Sequence, residues 1–274
     1  MVLKLLEYAT VQKGLRELGN AAYSMVENLI TRVKTPVLED RKDLWKDTVL
    51  NSKTINLSGG VNQDNRCCFR IDHDFDLSKI VNSSINEDTF GIDETYVDRY
   101  IPIDKDTYKQ SEGTEFIIIG KSDIEGAKGD YAIRADKYEG IRKQLNERGY
   151  NLSDLKEAGG FRINDWLTQD EIPTGDGWLE LAVGKNKASE KDYEEASKFL
   201  KEKYIPKAEE KGCFSRGAGM SFVIRIGEDG YKARPWFVSG SYFRSDAVGG
   251  GNFKDGGCFL SVLDESAAGP PAKK

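Results

Sequence analysis

Apolar residues recur near the start of the chain at alternating spacings of three and four: Tyr8, Val11, Leu15, Leu18, Ala22, Met25 and Leu29. On a helix all seven fall on one stripe. Val26, Ile30 and Val33 widen that stripe, and Pro36 stops it, having no N–H and disfavouring helix in the residue before it. The pattern lasts about three heptads, the lower edge of a coiled-coil signal. Gly14 and Gly19 weaken it by roughly 1 kcal/mol each relative to Ala. Such a helix needs a surface to cover its stripe, either the chain's own core or a partner.

Further along, the period changes. "RCCFRIDHDFDL" alternates as a strand does, and "EFIIIG" is a short apolar run bounded by turn residues, the pattern of a buried strand. "GWLELAVG" (Gly177 to Gly184) reads as another strand. Three stretches read as helices. "DKYEGIRKQLNERG" has Asp136 as its N-cap and closes near Gly149, and a short helix capped by Ser153 ends at Gly159 and Gly160. "ASEKDYEEASKFLKEKY" starts on Ser189 and Asp192 as a capping box, turns Tyr193, Ala196, Phe199 and Leu200 inward, and is ended or kinked by Pro206. The last part predicts a meander: "SFVIRIG" and "YKARPWFVSGSYF" joined by the hairpin turn "EDG", then "CFLSVL". Between them, the glycine-rich stretch 244–257 is expected to be a mobile connection that orders against a partner.

The fold class is therefore α+β: a mixed, mostly antiparallel sheet with a long N-terminal helix, two or three further helices and a C-terminal β-meander. The organisation expected is an amphipathic helix over 1–36, a β-rich segment over 37–125, an α+β segment over 126–264 and a disordered tail over 265–274, with 37–264 readable as one domain.

Composition narrows the function classes. The 274 residues suffice for a sizeable core, and 38% hydrophobic content with twelve Phe, twelve Tyr and four Trp argues for a packed one. A net charge of −6 speaks against a general nucleic-acid binder. No run approaches the roughly 20 apolar residues of a membrane span, and "MVLKLLEYATVQKGL" has neither the apolar core nor the cleavage site of a signal peptide. Cys67, Cys68, Cys213 and Cys258 form no CxxC pair, so reduced thiols and a cytoplasmic location are expected.

Four places carry candidate chemistry. In "RIDHDFD", a strand would put Asp72, Asp74 and Asp76 on one face, a row of hard oxygen ligands suited to Mg2+ or Ca2+. His73 is the only histidine, which excludes multi-histidine zinc sites, and its place between Ile71 and Phe75 marks a half-buried structural residue. Any Ser-His-Asp or Cys-His arrangement has to use that same histidine, and no GxSxG is present. "GGGNFKDGG" lacks the order of a Walker loop, so phosphate binding is not favoured. Near the C-terminus, basic and aromatic residues interleave, with Arg234, Trp236, Arg244, Asp246 and Lys254 offered as sheet or loop contacts.

The function expected is a non-enzymatic structural or assembly protein acting through protein–protein contacts, with itself or another protein as partner and Tyr8, Val11, Leu15, Leu18, Ala22, Met25 and Leu29 as the partner helix. The alternatives are a divalent-metal-dependent enzyme acting on a phosphorylated or nucleic-acid substrate, and a nucleic-acid or small-ligand binding module built on the C-terminal sheet.

Overall fold

The structure is a computed structural model that describes residues 3–7, 22–35, 37, 43–46, 48–75, 101–127, 129–150, 152, 160–163, 176–213, 220–223, 231–241, 244–249 and 258–262. Among these, eleven strands join in one sheet: β1 (Leu3–Glu7), β2 (Val49–Val61), β3 (Cys67–Asp72), β4 (Ile101–Ile103), β5 (Thr114–Ile119), β6 (Tyr131–Arg134), β7 (Gly160–Ile163), β8 (Met220–Val223), β9 (Tyr231–Ser241), β10 (Arg244–Val248) and β11 (Cys258–Val262). The helices are α1 (Met25–Lys34), α2 (Lys105–Gln110), α3 (Ala135–Glu147), α4 (Gly177–Val183), α5 (Glu190–Phe199) and α6 (Ile205–Glu210). The strand order is β6-β5-β3-β2-β9-β10-β8-β7, with β11 beside β2, β1 beside β11 and β4 beside β9. Pairing is antiparallel except for β10 with β8 and β11 with β2. The chain is thus α+β, with a mostly antiparallel sheet and several helices.

Strand alternation distributes the core over both faces of the sheet. Phe69, Ile71, Phe116, Ile118 and Ala132 join one cluster with Met25 and Leu29 of α1, Trp178 and Leu181 of α4, and Tyr193 and Ala196 of α5. Their neighbours along the same strands point the other way: Ile117 and Cys68 meet Tyr138 of α3, while Ile119, Tyr131 and Ile133 meet Leu145. Ile55, Leu57 and Ala233 pack with Tyr108 of α2 and Ile103 of β4.

Several expected elements differ. The N-terminal helix does not pass through Ala22 to Met25. Ser24 is extended and closes a capping box with Glu27, so α1 begins at Met25 and ends at Lys34, before Pro36. Tyr23 instead donates its N–H to the Leu260 carbonyl (2.9 Å). The cap and this backbone contact outweigh the helical spacing of the apolar residues. Leu3–Glu7 is a strand, and the stretch carrying Tyr8, Val11, Leu15 and Leu18 lies outside the described residues.

"GWLELAVG" is a helix, α4, not a strand. A short apolar run buried nearly all round reads equally well as either. Gly184 decides it, closing the helix in the left-handed region at φ +68°. The N-cap of α3 is Arg134 rather than Asp136, which sits in the first turn and pairs with Arg134. The short helix expected after Ser153 lies outside the described residues. Ser189 and Asp192 do form the capping box of α5. Pro206 does not end the helical run beyond it: a π-helical turn at Leu200–Tyr204 leads into α6, with Pro206 in its first turn.

The C-terminal meander is also replaced. β9 pairs with β10, not with β8, and β11 lies between β1 and β2. Residues 244–248 are therefore strand rather than loop.

One buried cation ties these parts together. Arg32 of α1 is fully buried; its Nε donates to the Leu44 carbonyl (2.7 Å) and Nη1 to the Tyr204 hydroxyl (2.9 Å). Its guanidinium lies 4.4 Å from the Trp45 ring centroid, and Trp45 Nε1 donates back to the Arg32 carbonyl (2.7 Å). Gly240 of β9 passes so close that a Cβ there would lie 1.9 Å from the Trp45 carbonyl oxygen and 2.6 Å from Arg32 Nη2.

At one end of the sheet, Asp176 donates its N–H to the Ala132 carbonyl (2.8 Å) and accepts from Arg134 N with Oδ2 (3.4 Å). Lys137 Nζ holds the other carboxylate oxygen at 3.1 Å.

Because the Gly240 contact is with backbone, Gly240→Ala is expected to cost on the order of 2 kcal/mol or more in urea unfolding. A change within about 0.5 kcal/mol, the range of ordinary surface substitutions, would show that the close approach does not constrain β9.

Candidate functional site

β3 ends at Asp72, and the chain bends at His73 and Asp74. That bend turns the only histidine inward, where it is 2% exposed rather than half-buried. Its Nδ1 lies 3.3 Å from Thr54 Oγ1 on β2. The same oxygen accepts the Met25 N–H (3.1 Å), so the threonine hydroxyl proton is available for Nδ1. The ring's Nε2 faces Glu180 Oε1 at 3.5 Å.

Glu180 is wholly buried. The helical turn of α4 brings it over β5, where Thr114 Oγ1 donates to Oε1 (2.7 Å) and the Tyr193 hydroxyl of α5 donates to Oε2 (2.5 Å). Its place in the first turn of α4 puts the carboxylate at the favourable end of the helix dipole. Burial, with the neighbouring Glu180 charge, raises the Tyr193 phenol above its ordinary value. Above that ring stands Arg134, its guanidinium 4.4 Å from the centroid. Sequence reasoning missed Glu180, Thr54 and Thr114. A charged residue inside "GWLELAVG" was the available signal, since a buried carboxylate needs donors.

Of the aspartate row, Asp72 is buried and Asp74 exposed. Asp72 Oδ1 accepts from the Asp74 N–H (3.0 Å) and from Asn186 Nδ2 (2.7 Å), and its Oδ2 accepts from Ser111 Oγ (2.6 Å). Asn186 also accepts the His73 N–H (2.7 Å), so this carboxylate anchors the bend to the turn after α4. Asp74 is exposed, and Asp76 lies outside the described residues. Among the described residues no group of three His, Cys, Asp or Glu side chains is disposed to hold a metal ion.

The C-terminal set is divided as well. Arg234 and Trp236 are buried on β9, and a Cβ on Gly249 would lie 2.9 Å from the Trp236 ring. Arg244 and Asp246 pair through their backbones with Ser241 and Ser239; their side chains, and all of Lys254, lie outside the described residues. Ala22, Met25 and Leu29 of the apolar stripe are buried within the chain.

Cys67, Cys68 and Cys213 are buried. Burial pushes the Cys67 thiol up to about 11. Burial, with Glu115 and Cys67 nearby, pushes Cys68 to about 12. Cys213 is raised by burial too, and its Sγ faces the Trp45 carbonyl oxygen (3.2 Å). Thiols held above their ordinary value are poor nucleophiles near neutral pH. Among the described residues, His73 sits in a buried polar cluster with Thr54, Glu180, Thr114 and Tyr193.

No protein-family model matches the chain, and no curated protein matches it. A solved structure described as "Accommodation of massive sequence variation in Nanoarchaeota by the C-type lectin fold" is similar at 13% identity and a TM-score of 0.42, over 95% of this chain and 97% of that one.

Glu180→Ala strands two buried hydroxyls and is expected to cost about 3 kcal/mol in urea unfolding, with Tyr193→Phe costing less. A loss under about 1 kcal/mol, the net value of an ordinary hydrogen bond, would show that this network does not hold α4 and α5 to the sheet. The raised thiols give a pH dependence of definite sign. Folding favours the neutral form of Cys67 and Cys68, so their contribution is whole below the ordinary value of 9.0 and is lost as pH rises through about 11 and about 12. On a Cys258→Ser background, the folded protein is expected to resist a thiol reagent at pH 8 that labels the urea-unfolded chain fully. Equal labelling in both states would contradict the burial.

Proposed function

We propose that the chain is a structural or assembly protein that acts through protein–protein contacts, self-association included. The observation that carries this reading is the commitment of His73, Asp72 and three thiols, among the described residues, to internal contacts. His73 Nδ1 lies beside Thr54 and its Nε2 faces Glu180, Asp72 accepts from Ser111, Asn186 and the Asp74 N–H, and Cys67, Cys68 and Cys213 are buried. Groups spent on holding a fold together are not available to turn over a substrate.

The same geometry weighs against the other two readings. A metal enzyme built on Asp72, Asp74 and Asp76 needs oxygens with free lone pairs converging on one point, and Asp72 already accepts three donors, two of them on Oδ1. A nucleic-acid face built on Arg234 and Trp236 needs them at the surface, and both are buried. The partner contacts proposed are Tyr8, Val11, Leu15 and Leu18 of the apolar stripe, and Arg244, Asp246 and Lys254 around the glycine-rich stretch.

Light scattering on the purified chain is expected to give a mass of two or more chains that falls when Leu15 and Leu18 are both changed to Asp. A single-chain mass at every concentration, with no change on that substitution, overturns self-association. A thermal shift on adding Mg2+ or Ca2+ that Asp74→Asn abolishes would favour the metal reading instead.

A further inference from the structure

We draw no further inference here: the strongest candidate, the buried polar strip that Asn56 and Ser58 of β2 form with Arg234 and Lys232 of β9, lies where nothing in the structure shows what covers it.

Discussion

A guanidinium with no solvent contact sets the terms for one half of this structure. Taking Arg32 out of water costs several kcal/mol unless its donors are met, so the groups around it are held to narrow positions. The Leu44 carbonyl and the Tyr204 hydroxyl each have to arrive within hydrogen-bond reach, and the Trp45 face has to lie flat beneath the charge. Those partners come from the segment before β2 and from the π-helical turn after α5. One side chain of α1 thereby fixes where two distant segments sit. Gly240 completes the arrangement from the sheet, because only a residue without Cβ lets β9 run past Trp45 at that distance.

The second polar knot, around Glu180, works on the neighbouring helices in a similar way. Thr114 and Tyr193 converge on one carboxylate, while Asn186 ties the turn after α4 to both Asp72 and the His73 backbone. Directional donors on a buried carboxylate add to close packing in holding α4 and α5 in place on β3 and β5.

The parts of this architecture legible in the sequence are the local ones. The Ser189–Asp192 capping box, the apolar run at Phe116–Ile119 and the helix ending near Gly149 depend on residues a few positions apart, and pattern reasoning reaches them. Strand pairing is different in kind. "SFVIRIG" and "YKARPWFVSGSYF" look like neighbours because a turn separates them, yet β9 chooses β10 and β2. The α1 start shows a similar conflict, since an unbroken apolar stripe competes with Ser24 and Glu27, and the cap wins. At the candidate site, the sequence placed His73 as half-buried, and it is 2% exposed. Its partner Glu180 was hidden inside an apolar run, and Asn186 stands 114 positions from Asp72. No local spacing encodes such a meeting.

Asp176 covers part of one edge of the sheet. A sheet is open to growth wherever a terminal strand offers carbonyls and N–H groups outward, and association by strand addition uses that opening. At β6 the Ala132 carbonyl is occupied by the Asp176 N–H, and the Arg134 N–H by its carboxylate, with Lys137 gripping the same side chain. An incoming strand would have to displace all three at once. Strand addition at this edge would thus compete with bonds the chain already makes within itself.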